Sequence, residues 1–241
     1  MVVKYTPRID WPENDTRLDA KKFKVKVPTN LKDDQNRTPN YVDVTVMNRK
    51  AKEKRVGSGG GGLSMVNGLV TRNLEVRFAS PATQWKLLST SSKGPGKFQF
   101  QGGEIFLDLH LAIFLLDHLV PDPKDDISGK IFAEIYGHEL LHVLDENTIV
   151  RSALPPALDG DRDLAKLLTE PYTYGKSSES ITVLEPEFHE YMRKRIEGIV
   201  INDHWAPRTN ERAAARDVPS EYRKVQDKVD DLRASYTIRK K

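Results

Sequence analysis

The chain has 241 residues, 38% of them apolar and 30% charged, with a formal net charge of +3 and no cysteine. This is a globular composition with enough Leu, Ile, Val and Phe for a core, and it excludes a disulfide scaffold, a thiolate metal site and a cysteine nucleophile. No apolar run reaches the ~20 residues of a membrane helix, and the opening Met1-Val2-Val3-Lys4 lacks the apolar core of a Sec-type signal peptide.

The first fifty residues read as β structure. Phe23, Val25 and Val27 alternate with lysines, and Val42, Val44 and Val46 alternate with Asp43 and Thr45, the period-two pattern of half-buried strands. Val56-Gly57-Ser58-Gly59-Gly60-Gly61-Gly62-Leu63 lacks the Lys and Ser/Thr that end a phosphate-binding loop, and reads as a flexible linker. Leu74, Val76 and Phe78 alternate again, and a short strand is expected at Phe98–Phe100. Ile105, Leu109, Ala112, Ile113 and Leu116 then recur at helical spacing, which predicts a buried helix over 104–119, ended by Pro121-Asp122-Pro123. A second helix is predicted from Ser128, as N-cap, through Ile131, Phe132, Ile135, Tyr136, Leu140, Val143 and Leu144. After the polar, Pro-rich stretch Arg151–Ser180, residues 187–200, 209–217 and 220–235 read as helical. Strands precede helices, an α+β order. The expected organisation is a β-rich region over 1–56, a Gly-rich linker over 57–68 and a catalytic domain over 69–241.

The second helix carries His138-Glu139-Leu140-Leu141-His142. Residues four apart share a helix face, so both imidazoles can address one ion, and the glutamate beside the first His is placed to reach water bound to that ion. At this chain's His and Glu frequencies such a run is expected by chance about 0.01 times. Two imidazoles with one carboxylate and an open position suit zinc, so Zn2+ is the expected cofactor.

This run resembles the active helix of the zincin metallopeptidases, in which strands precede the helix and an edge strand lines the substrate cleft. The resemblance implies a zincin-like α+β domain with an N-terminal β-strand extension, and Phe98–Phe100 or an earlier strand as that edge. The Gly and third His of the Met-zincin pattern are absent, since positions 145 and 148 are Asp and Thr, which points to the branch whose third ligand is a later glutamate.

For that ligand the first choice is Glu211, in Arg208-Thr209-Asn210-Glu211-Arg212-Ala213. Thr209 suits a helix cap, and the alanines allow close helix packing. The stretch is loosely similar to the glutamate helix of lethal-factor-type toxin proteases, as is Asp145. It departs from that family in carrying Ala213 where the ligand glutamate stands three residues after Asn. Glu190 on a predicted helix and Glu179 after Tyr172-Thr173-Tyr174 are the alternatives, although Ile181-Thr182-Val183 and Pro186 make a poor helix near Glu179. Asp145, two turns from His138, reads as a supporting or helix-end residue. His110 and His118, on the helix predicted over 104–119, read as packing or surface residues. His204, Tyr172, Tyr174 and Tyr222 are candidates for stabilising a tetrahedral intermediate.

The expected function is a zinc metalloendopeptidase, with His138, His142 and Glu211 as ligands and Glu139 activating a metal-bound water against a protein or peptide substrate. The competing expectations are a catalytically inactive zincin-like protein-binding module and a basic nucleic-acid-binding protein. Bases interleaved with acids argue against nucleic acid, and the Arg49–Arg55 stretch and the Arg239-Lys240-Lys241 tail read as solvated surface. No Sec signal and no cysteine fit a cytoplasmic protein or a toxin or effector exported by a specialised route.

Overall fold

A 21-residue strand, β5 (Gly96–Leu116), is the element to which every other strand among the described residues pairs in the computed structural model of the protein. The structure describes residues 3–10, 39–55, 67–78, 84–88, 95–122, 124–176 and 180–239. The strands expected around Phe23–Val27 and the glycine run Gly57–Gly62 lie outside them.

The helix predicted over 104–119 is therefore a correction: the segment is strand as far as Leu116, and His118 follows in a single 3-10 turn, Asp117–Leu119. Ile105, Leu107, Leu109, Leu111, Ile113 and Leu115 are all buried, the alternation of a strand with one face in the core. The remaining strands are β1 (Val3–Asp10), β2 (Asn40–Val42), β3 (Gly68–Phe78), β4 (Gln84–Leu87) and β6 (Tyr172–Tyr174). β2 runs parallel to β5, and β4 and β6 run antiparallel to it. Phe98 is paired on both sides, with Leu87 and with Tyr172, so it is not the free edge expected there.

The helices are α1 (Val44–Arg55), α2 (Asp126–Thr148), α3 (Leu154–Asp159), α4 (Arg162–Thr169), α5 (Ile181–Gly198), α6 (Ala206–Arg216) and α7 (Pro219–Arg239). Val44 and Val46 thus belong to a helix rather than a strand, because the Asp43 carboxylate caps it by accepting from the Val46 N–H at 2.9 Å. α2 is capped by Asp125, whose carboxylate accepts from the Ile127 N–H at 3.0 Å, rather than by Ser128. α5 holds Pro186 inside it and begins at Ile181, where a poor helix was expected. Leu184, Phe188, Met192 and Ile196 recur every four residues and are fully buried, and packing of that stripe outweighs the hydrogen bond Pro186 cannot make. A π turn, Ile199–Trp205, prolongs α5 and brings buried Val200 and, five residues on, Trp205 inward.

The architecture is α+β, in two compact units. One comprises Met1–Ile9, Leu74–Leu109 and Thr148–Arg208; Phe98 stacks on Phe188 there at 4.2 Å between ring centres. The other comprises Asp10–Asn73, His110–Asn147 and Thr209–Lys241, and is built around α2. Phe132, Tyr136, Leu140 and Val143 form the fully buried stripe of α2, while Ile135, Glu139, His142 and Glu146 form a second buried stripe beside it. Among the described residues no helix is long and apolar enough to cross a membrane.

Candidate metal centre

The motif helix presents its polar residues in two directions. His138, His142 and Asp145 follow one another at helical spacing and face the junction of α6 and α7, where Asp217 stands in the break between the two helices. Glu139 and Glu146, seven residues apart, face β3. A Cβ on Gly68 would lie 2.5 Å from Glu139 Oε1, and Arg72 donates to Glu146 Oε1 at 3.0 Å. Four residues of strand span about 13 Å and seven of helix about 10 Å, so β3 and α2 run side by side over this stretch.

His138, His142 and Asp217 form a three-donor group whose ligand atoms all lie within 4.8 Å of one another. His142 Nε2 and Asp217 Oδ1 are 3.1 Å apart, close to the ~3.3 Å separating two ligands of one tetrahedral ion with bonds of about 2 Å. His138 Nε2 is buried and makes no hydrogen bond. A buried polar atom without a partner costs about 1–3 kcal/mol, which a bound cation would offset. Burial, and then the neighbouring His142, lower the His138 pKa against the opposing pull of Asp217, so its imidazole is held neutral, as a ligand must be. Two imidazoles and a carboxylate are a zinc donor set.

The third donor is where sequence and structure part. Glu211 is exposed on α6 and is not one of the grouped donors. Glu190 lies in the other unit on α5, where hydrogen bonding to Arg193, with Lys194 behind it, pulls its pKa down to about 2. Glu179 lies outside the described residues. Asp217 is not among the ligands expected from the sequence. The signal that points to it is Asp217-Val218-Pro219, an acid in a Pro-marked break between two helical segments.

The surroundings of the group are polar and specific. Tyr222 donates to Asp217 Oδ1 at 3.0 Å, and its ring lies 5.5 Å from that of His138. Of the four residues considered for stabilising an intermediate, Tyr222 is the one beside the histidines. His204 instead pairs with Asp161 at 2.6 Å, and Tyr172 with Tyr191. Asp145 accepts two hydrogen bonds from Arg216, at 2.7 and 3.2 Å. Glu146, 3% exposed, also accepts from Thr209 Oγ1 at 2.9 Å, and Arg72 donates onward to Asn210 at 3.1 Å. His110 stands on β5 and not on a helix. Comparison with protein-family models, curated proteins and solved structures finds no match to this chain.

Proposed function

We propose that the protein is a zinc-dependent hydrolase of peptide bonds, with His138, His142 and Asp217 holding the ion and Glu139 as general base and acid. The observation that carries this reading is the orphaned, buried His138 Nε2 beside His142 and Asp217. The sequence resemblance to the zincins agrees with it, with aspartate in place of the expected glutamate as third ligand.

Zinc, when bound, supplies Lewis-acid polarisation and lowers the pKa of water toward about 7. The chain's own groups do the rest. Glu139, next in sequence to a ligand and buried at 5% exposure, takes the proton from the attacking water and delivers it to the nitrogen of the breaking C–N bond. Gly68 leaves room for that carboxylate. Tyr222, half exposed at 48%, stands at the rim of the group, where its O–H is donated to Asp217 and steadies that carboxylate.

Elemental analysis of the wild type beside His142→Ala, Asp217→Ala and Glu211→Ala tests the site. About one zinc per chain is expected in the wild type and in Glu211→Ala, with loss in the other two. Glu139→Gln should keep zinc and lose hydrolysis of a fluorogenic peptide library by roughly 10²–10⁴-fold. A wild type that takes up no zinc when it is supplied, or a Glu139→Gln variant of full activity, overturns the proposal.

A further inference from the structure

We infer that Asp145 and Arg216 are positioning residues for the ion: the bidentate pair between them sets Asp217 opposite the two histidines and thereby sets the affinity for zinc. The inference rests on the metal-site reading above.

Asp217 lies just past the end of α6, in a short break before α7 begins at Pro219, so no helical ladder on its C-terminal side fixes where its carboxylate sits. Its N–H still bonds the Ala213 carbonyl at 2.8 Å, which ties it to the last turn of α6. Placement of α6 is therefore placement of the ligand.

Two consecutive carboxylates of the motif helix hold α6. Glu146 takes the Thr209 hydroxyl near its start and, through Arg72, reaches Asn210. Asp145 takes Nε and Nη2 of Arg216 at its end. Thr209 and Arg216 are about 10 Å apart along the helix, so α6 is held at two well-separated points. The guanidinium fork is planar and accepts few orientations of a carboxylate, so the pair specifies geometry as well as proximity. Arg216 is the residue before Asp217, and Asp145 is three residues after His142 on the histidine stripe. The distance from the imidazoles to Asp217 is thus measured off the helix that carries them.

The contact between His142 Nε2 and Asp217 cannot do this once an ion is present. A ring nitrogen that donates its lone pair to a cation has no proton there to share with a carboxylate. The Arg216 clamp and the Tyr222 hydroxyl still hold Asp217 from within the chain when that contact is lost. Were the Asp145–Arg216 pair only an exposed surface ion pair, its loss would change nothing measurable. Its half-buried placement, with Asp145 13% and Arg216 36% exposed, distinguishes it from that case.

The test is zinc affinity, read by competition with a chromophoric chelator, for the full chain and for Arg216→Gln, Asp145→Asn and Arg216→Lys. Far-UV circular dichroism and Tm of each metal-free protein are measured alongside. Arg216→Gln and Asp145→Asn are expected to bind zinc about 10–100-fold more weakly, as supporting contacts to ligands do. The double variant should be no weaker than either single one, since both remove one interaction. Arg216→Lys keeps the charge but loses the fork; it is the variant least disturbing to folding and should recover part of the affinity. A pair that only stabilised the fold would lower Tm and leave zinc affinity unchanged. Wild-type affinity in the variants overturns the clamp and leaves the metal site standing. No zinc binding by the wild type overturns both.

Discussion

Replacing Gly68 with alanine asks whether the Glu139 carboxylate must sit where it does. The added Cβ would lie 2.5 Å from Oε1, 2.8 Å from Cγ and 2.9 Å from Cδ of Glu139, three contacts with one side chain. Ordinary contact is about 3.5 Å, so something must retreat by roughly 0.6–1 Å. The backbone on the Gly68 side is anchored, since the Leu116 N–H donates to the Asn67 carbonyl at 3.2 Å, and α2 is packed through Phe132, Tyr136 and Val143. The give therefore comes from the torsions of Glu139. Because that side chain is 5% exposed, the displaced carboxylate meets packed neighbours, at a cost of about 1–3 kcal/mol and a Tm lower by about 2–10 °C. A displacement near 1 Å in a reacting group costs up to about 10² in rate. Gly68→Ala is expected to keep one zinc per chain while kcat on a fluorogenic peptide falls about 10–100-fold. Combined with Glu139→Gln it should add no further loss. Wild-type kcat in Gly68→Ala, with zinc retained, would refute the assignment of Glu139.

Three further variants test contacts outside the ligand set. Burial raises the Asp161 pKa, but hydrogen bonds from the Leu164 N–H and His204 outweigh it and hold the carboxyl below its ordinary 3.8. A depressed carboxylate contributes stability above its unfolded pKa and loses it as pH falls through the folded one. Asn caps helices as well as Asp does, so Asp161→Asn should keep the neutral-pH Tm within a few degrees and flatten the fall in Tm below about pH 4; an unchanged acid limb in thermal melts contradicts this. Glu146→Ala leaves Arg72, whose side chain is 16% exposed, without its buried partner, and should cost about 3–5 kcal/mol in urea unfolding. Asp126→Asn breaks an exposed pair with Lys130 and should change stability by less than about 1 kcal/mol; equal effects from the two variants would refute the distinction.

How much was legible in the sequence depended on how local the signal was. His138, Glu139 and His142 declare their helix and their shared chemistry within five residues. Asp217 is 75 residues beyond His142 and reaches it through the packing of α6 on α2, which rests on Thr209, Arg216 and Arg72, none of them conspicuous alone. The alternation of Leu74, Val76 and Phe78 did foretell β3. In β5 the same alternation was hidden, because Ile105, Leu109 and Ile113 satisfy a period of four as well as a period of two. Phe106, Ala112 and Phe114 between the buried positions completed a helix-like surface, and only Asp108 and His110 broke it. Pro186 misled in the opposite direction, since an apolar stripe weighs more than one missing donor.

The π turn at Ile199–Trp205 has a consequence for how this chain tolerates change in length. Along α5 the inward positions come every fourth residue, from Leu184 to Val200, and the next, Trp205, comes after five. The segment carries one residue of slack, taken up as a wider loop of backbone. A single-residue deletion between Ile201 and His204 would restore the ordinary turn and still deliver Trp205 to the same side. A deletion earlier in α5 would rotate every later inward position by about 100°. Here an insertion has already been absorbed, and here the chain can give one back.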